Sequence, residues 1–181
     1  MPSIKGIEVK NIESLGGLEG YGLKADLYLH GKKVGLYVNE GNGGDAVVRF
    51  GHKEDEEAVM RVVFEYAKEN PNIPLVAMYQ HSPDLYEKEV KRIKEYFPYL
   101  EGEITMEAVS AFDIEVLVCE LFKLTNYETI YMEDLLPDGY RAMSVSKNGL
   151  VGYPEDWTDE RIREAAKGEK LFMCLQDFYV D

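Results

Sequence analysis

Residues 23–38 read LKADLYLHGKKVGLYV, and this stretch decides the fold class. Apolar and polar side chains alternate over residues 23–29, which is typical of a half-buried β-strand. Gly31-Lys32 supplies a turn, and the alternation resumes at Val34, Leu36 and Val38. The stretch therefore predicts two antiparallel strands joined by a turn.

Further strands and three helices are predicted around this hairpin. Strand patterns lie at about residues 4–9 and 46–50. Apolar side chains recur with helical spacing over residues 58–67, behind the acidic entry at 54–57, which suits the positive end of a helix dipole. A second helix is predicted to begin at Ser82-Pro83 and reach Phe97, and a third, the most buried, to cover Phe112–Leu124. The run 73–79 is apolar but carries no assignment.

The last third of the chain returns to mixed structure. Asn148-Gly149 fits the positive φ angles of a two-residue hairpin turn between strands at 140–147 and 150–153. Thr158 is expected to cap a short helix that Gly168 closes, and a final strand is predicted at about 171–175. Because strands come first, helices cluster in the middle and strands return, the sequence predicts a single α+β domain, an antiparallel sheet packed by about three helices.

The charge distribution limits the partners that the chain is expected to bind. The net charge is −14, and residues 101–181 carry 18 acidic and 7 basic side chains. Between Glu101 and Asp138 there are ten acidic residues, and Lys123 is the one base. Such a field repels nucleic acid and anionic lipid, since Lys and Arg drive binding to both. We therefore expect no direct contact with nucleic acid or membrane, and attraction to a basic protein.

Composition and cysteine usage indicate a cytoplasmic protein. No apolar run approaches the roughly 20 residues that span a bilayer, and no apolar stretch follows a basic start at the N-terminus. Cys119 and Cys174 lie in apolar segments, so both are expected to be reduced core residues.

The most distinctive motif joins two predicted strands. A Gly-Lys turn at residues 31–32 leads through a strand to Asn39-Glu40-Gly41-Asn42-Gly43-Gly44-Asp45, which we call the glycine loop. In this pattern the chain resembles small uncharacterised proteins of bacteria and phages, which have a strand, a Gly-Lys turn, a strand and an Asn-(Asp/Glu)-Gly-x-Gly-Gly loop. The resemblance covers about the first 50 residues. It implies no catalytic residue, but it favours a phage or mobile-element accessory protein.

Three interpretations of the glycine loop remain open. Its glycines can turn backbone N–H groups toward an anion, although Glu40 and Asp45 would repel phosphate and the Lys-Ser/Thr ending of a P-loop is missing. Glu40, Asn42 and Asp45 offer oxygen ligands to a hard cation, but their spacing is not that of an EF-hand. In the simplest interpretation the glycines only allow a wide turn between strands.

The three histidines form no zinc motif, because none lies in His-x-His or i, i+4 spacing with another. His52 and His81 each follow an apolar segment, and with Asp55 or Asp84 they could form a metal or acid–base cluster. Ordinary surface positions are the alternative. No serine or cysteine nucleophile motif is present. Neither a resident metal nor another cofactor is predicted.

The acidic stretch from Glu101 to Asp138 offers the sharper functional hypothesis. Its carboxylates could imitate nucleic-acid phosphates and occupy the basic surface of a host nucleic-acid-processing or defence protein. The predicted interaction residues are three acids and two aromatic anchors: Glu128, Glu133, Asp134, Tyr127 and Tyr131. Acidity for solubility alone is the plain alternative. The prediction is a non-catalytic interaction protein; the rival is a small metal- or ligand-dependent enzyme or binding protein using the glycine loop with His52 and His81.

Overall fold

The computed structural model describes residues 1–16 and 21–180, and it confirms the α+β class. Within those ranges it contains nine strands and six α-helices. Contacts group the chain into two compact units, Lys5–Cys119 and a smaller one formed by Met1–Ile4 with Glu120–Asp181. The larger unit carries 21 acidic and 13 basic residues and the smaller one 13 and 7, so both are acidic.

The larger unit contains a four-stranded antiparallel sheet in the order β5-β4-β3-β2. Its strands are β2 (Ile7–Gly16), β3 (Tyr21–Leu29), β4 (Lys32–Asn39) and β5 (Val47–Phe50). Two of the predicted strands thus form the hairpin β3–β4. The predicted opening strand is divided, because the chain turns at Lys5 and Gly6, both with positive φ.

One feature of β4 differs from the prediction. Leu27 pairs with Gly35 and Tyr28 with Lys33, so Val34 is an extra residue opposite β3. Such a bulge shifts the alternation by one residue. Tyr37 is therefore buried, 1% exposed, whereas the predicted inward residues Leu36 and Val38 are only half-buried.

Four complete helices of the larger unit surround one hydrophobic core. They are α1 (Lys53–Glu69), α2 (Ile73–His81), α3 (Pro83–Tyr96) and α4 (Met106–Ala111). The core is built from side chains of α1 to α4 and the segment before α4: Phe64, Tyr79, Ile93, Ile104, Ala108 and Val109. The unassigned apolar run is helical because Asn72 caps it, its side chain accepting a hydrogen bond from Leu75 N at 3.2 Å.

The predicted third helix begins later and ends later than expected. Helix α5 covers Ile114–Ile130 and continues into a π-helical turn at Tyr131–Leu135. It begins where the Asp113 carboxylate accepts the Glu115 N–H at 2.8 Å.

The smaller unit contains a three-stranded sheet in the order β7-β6-β8. Its strands are β6 (Tyr140–Ser146), β7 (Gly149–Pro154) and β8 (Lys170–Phe172), and helix α6 (Asp159–Ala165) lies between β7 and β8 in the chain. The predicted hairpin and the Thr158 cap are confirmed. The predicted last strand ends at Phe172, and a short strand β9 (Tyr179–Val180) pairs in parallel with β1 (Ser3–Ile4).

Within the two described ranges, none of the helices is both long enough and apolar enough to cross a bilayer.

Candidate interaction surface

Several carboxylates of the acidic stretch already have partners. Glu115 accepts hydrogen bonds from Asn39 Nδ2 at 3.1 Å and from the Tyr37 hydroxyl at 3.4 Å. Glu128, one of the predicted interaction residues, lies 3.2 Å from the N-terminal ammonium of Met1. Because these carboxylates already bind groups of the chain itself, they are less suited to binding a partner protein.

Glu120 is engaged in the same way. Its carboxylate lies 2.9 Å from Lys170 Nζ and 3.4 Å from Lys123 Nζ. Burial alone would raise the pKa of the Glu120 carboxyl, but the hydrogen bond and charge of Lys170, with help from Lys123, outweigh it and hold the pKa below its usual value.

The exposed end of the acidic stretch lies at the π-helical turn. We call Met132, Glu133, Asp134, Leu136 and Asp138 the π-turn surface, since all five are exposed. Met132 and Leu136 are 43% and 39% exposed. Within the described part of the chain, neither of the predicted acids Glu133 and Asp134 forms an ion pair or side-chain hydrogen bond, and the same holds for Asp138. The surface therefore presents two apolar side chains among unneutralised carboxylates.

The π-helical turn that carries this surface is held in place by contacts with other residues of the smaller unit. Tyr131 is only 3% exposed, and its hydroxyl donates to the carbonyl oxygen of Arg141 at 2.7 Å. Its own carbonyl accepts Leu136 N–H at 3.0 Å, the i+5 bond of a π-helix. Leu135 and Tyr140 cover Gly152 of β7 so closely that a Cβ there would lie 2.8 Å from the Tyr140 ring. π-Helical turns are frequent at functional sites.

The two predicted aromatic anchors contact aromatic rings of the smaller unit. Tyr131 is buried as described, and its ring lies 5.7 Å from that of Phe178. Tyr127 is half-buried, with its ring 6.1 Å from that of Phe172. The sequence did not single out Met132 and Leu136, the exposed apolar residues of the π-turn surface, which are spaced i, i+4. This spacing would have indicated them if the helical pattern had been followed beyond Leu124.

The glycine loop connects β4 to β5, and its first residue is tied to the protein. Asn39 Oδ1 accepts Gly41 N–H at 2.9 Å, while its amide donates to Glu115. Asn42 Nδ2 donates to Glu40 Oε2 at 3.4 Å. Gly41 and Gly43 have φ angles of 66° and 73°, which the turn requires.

A pocket of about 200 Å³ lies beside this loop. Glu40, Asn42 and Asp45 line it together with Arg49. The guanidinium would repel a metal ion, and the two carboxylates would repel phosphate. The pocket therefore favours neither the cation nor the anion interpretation of the loop.

In the described ranges, no hydrogen bond or ion pair joins His52 or His81 to Asp55 or Asp84. His52 precedes α1, and Asp55 in the first turn of that helix lies 2.6 Å from Lys32 Nζ. His81 is the last residue of α2, and its Nδ1 lies 2.7 Å from the carbonyl oxygen of Ala77. In the ranges that the structure describes, no three His, Cys, Asp or Glu side chains converge to hold a metal ion.

No disulfide joins Cys119 and Cys174, and of the two only Cys119 is partly buried. Cys174 is exposed at the start of the 3₁₀ turn Leu175–Phe178, where Asp177 Oδ2 accepts its backbone N–H at 2.9 Å. The prediction of two core cysteines is therefore wrong for Cys174.

The smaller unit contains a buried group of polar side chains that no sequence pattern indicates. Ser144 is fully buried, its hydroxyl oxygen lies 2.9 Å from that of Tyr153, and it donates to Glu169. The three residues come from β6, β7 and the segment before β8. Because Ser144 has no exposed surface, this chain of hydrogen bonds fixes strands and offers no accessible nucleophile.

Comparison of the chain with protein-family models, with curated proteins and with solved structures gave no match.

Proposed function

We propose that this chain is a non-catalytic binding protein that holds a basic partner protein on the π-turn surface. The observation that carries the proposal is the exposure of Met132 and Leu136 among three unneutralised carboxylates. Apolar contacts at the centre of an interface provide burial, and charges at its rim provide specificity and association rate. Methionine adapts its shape to a partner.

The partner is a protein with Lys or Arg side chains around an apolar patch. A net charge of −14 disfavours phosphate-bearing ligands, since a nucleic acid would bring further negative charge to the same surface. In the narrower form of the proposal, the chain is a cytoplasmic phage or mobile-element accessory protein. It would compete with nucleic acid for the basic surface of a host nucleic-acid-processing or defence protein. The charge and the resemblance of the first 50 residues support this form.

The rival function, a ligand-dependent enzyme at the glycine loop, has less support. Arg49 lies in the loop pocket with Glu40 and Asp45, and Asn39 is engaged by Glu115. His52 and His81 do not complete a metal cluster there.

A salt-dependent capture experiment tests the proposal. The tagged protein is incubated with bacterial lysate, and a captured protein is purified for titration calorimetry against wild type and two variants. E133K/D134K reverses two charges of the π-turn surface. E101K/E103K makes the same charge change at two exposed residues of the larger unit.

The proposal expects E133K/D134K to weaken binding at least tenfold at low salt, with E101K/E103K much closer to wild type. M132A/L136A should weaken binding at both low and high salt, because the apolar contribution is not screened. A partner that binds both E133K/D134K and M132A/L136A as tightly as wild type would overturn the π-turn assignment.

A further inference from the structure

We infer that the larger unit binds a small zwitterionic molecule with an apolar body, of the class of the aromatic α-amino acids, in a cavity between α1, α3 and the start of α5. The cavity has a volume of about 450 Å³. Small-molecule sites commonly have volumes of about 300–1,000 Å³ and combine an apolar lining with a few polar groups. This site is separate from the π-turn surface, and the inference does not depend on the proposed function.

The floor of the cavity is apolar and rich in aromatic rings. It is formed by Met60, Ile93, Phe97 and Phe112. The Phe97 and Phe112 rings meet edge to face, with centroids 5.1 Å apart and planes at 85°. Phe112 meets Phe64 in the same way at 5.5 Å. These contacts fix the rings, and fixed aromatic rings provide edge-to-face partners for an aromatic ligand.

Two opposite charges lie at the rim of the cavity. Arg92 lines it, with a side chain that is 65% exposed and one guanidinium nitrogen 2.8 Å from Glu89. Asp113 also lines it, and its Oδ1 accepts the backbone N–H of Glu115. Within the described ranges, Arg92 and Asp113 do not pair with each other. The remaining guanidinium N–H groups suit a carboxylate, and the second Asp113 oxygen suits an ammonium group.

Tyr96 provides an aromatic wall beside these charges. It lines the cavity, is 69% exposed, and makes no ring contact or hydrogen bond within the described part of the chain. A large exposed aromatic side chain with no internal role is available to cover a ligand. The cavity thus offers an apolar floor, an aromatic wall and one group for each charge of an amino acid.

The test is calorimetric or NMR titration of the full chain with L-phenylalanine, phenethylamine and 3-phenylpropionate. The two analogues keep the ring and lack the carboxylate or the amine. The inference expects saturable binding of L-phenylalanine with millimolar or better affinity. It expects each analogue to bind at least about tenfold more weakly than L-phenylalanine, because each lacks one charge-assisted hydrogen bond.

Variants then assign the two charges. R92Q should weaken L-phenylalanine about tenfold and leave phenethylamine unchanged, since that analogue has no carboxylate. D113N should weaken L-phenylalanine about tenfold and leave 3-phenylpropionate unchanged, since that analogue has no amine. Asn at this position preserves the helix cap. K88Q on the same helix is the matched control and should bind like wild type.

Three results would overturn the inference. They are the absence of saturable L-phenylalanine binding, equal affinity for the analogues, and an equal effect of R92Q and K88Q. The unmutated chain alone gives the first two, so the inference remains falsifiable if a variant folds poorly.

Discussion

The side-chain amide of Asn39 donates a 3.1 Å hydrogen bond to Glu115 Oε1, and so joins the first residue of the glycine loop to the first turn of α5. The same carboxylate accepts from the buried Tyr37 hydroxyl. The Glu115 carboxylate of α5 thereby holds two residues of β4, Tyr37 and Asn39, although Glu115 lies 76 residues from Asn39 in the chain. The loop is anchored at its start, and its exposed part begins at Glu40.

Glu115→Ala should lower the free energy of unfolding by about 1–2 kcal/mol, because a part-buried charged acceptor is lost. Glu115→Gln keeps an acceptor oxygen and should cost less. Urea unfolding at neutral pH measures both. Glu101→Ala, at an exposed residue with no ion pair in the described ranges, is the control and should stay within about 0.5 kcal/mol of wild type. Equal effects of Glu115→Ala and Glu101→Ala would show that the contact contributes nothing.

Alkaline pH should destabilise the chain through Tyr37. Burial, followed by the charge of Glu115, raises the pKa of Tyr37 to about 12. An unfolded tyrosine loses its proton near pH 10, so from about pH 10 to 12 the unfolded state binds fewer protons than the folded state. Below pH 10 the free energy of unfolding keeps the full contribution of Tyr37. Above pH 10 this contribution should fall by up to about 1.4 kcal/mol per pH unit.

The measurement is urea unfolding at a series of pH values from 8 upward for wild type and Tyr37→Phe. The variant should lose part of the alkaline slope, whatever its stability at neutral pH. A wild-type slope in Tyr37→Phe would contradict the assignment.

The predictable part of the fold is the part that follows local pattern. The sequence predicts the hairpins β3–β4 and β6–β7 and the cap at Thr158, because turn chemistry and alternation agree there. The sequence does not predict the bulge at Val34, because alternation by itself does not indicate an inserted residue. Gly35 was the one local hint, since a glycine inside a strand pattern often marks a bulge.

The end of α5 could not be read for a different reason. Thr125 and the polar residues after it interrupt the apolar stripe, which suggests a helix end. In the structure Thr125 Oγ1 donates to the carbonyl of Leu121 at 2.9 Å, and Thr129 Oγ1 donates to that of Thr125 at 2.9 Å. The helix thus satisfies its own polar side chains and continues to the π-helical turn.

Sequence located the acidic stretch but could not show which of its charges are free. That depends on distant partners, since Lys170 lies 50 residues from Glu120 and the N-terminal amine binds Glu128. Only the three-dimensional structure separates these engaged acids from Glu133 and Asp134.

Gly44 of the glycine loop and Gly22, which packs against the start of that loop, should respond differently to substitution by alanine. At Gly22, a Cβ would lie against the Asn39 carbonyl oxygen and 2.7 Å from the Glu40 carbonyl carbon, both backbone atoms that cannot move freely. Gly22→Ala should therefore cost about 1–3 kcal/mol. At Gly44 no atom lies within 4 Å, so Gly44→Ala should be neutral or stabilise by up to about 1 kcal/mol. Thermal and urea unfolding of both variants check this, and a harmful Gly44→Ala would show that the loop is more constrained than its geometry indicates.

The buried pair Ser144–Tyr153 should show strong coupling in the smaller unit. Ser144→Ala leaves the Tyr153 hydroxyl buried without its partner at 2.9 Å and removes the donor to Glu169, which should cost about 1–3 kcal/mol. Tyr153→Phe should cost less, because Ser144 keeps its bond to Glu169. The double variant has no orphaned Tyr153 hydroxyl, so its loss of stability should be smaller than the sum of the single losses by about 1 kcal/mol. Urea unfolding of the four proteins closes the cycle. Strict additivity would mean that the two hydroxyls contribute independently, and that the contact across β6 and β7 does not fix the sheet.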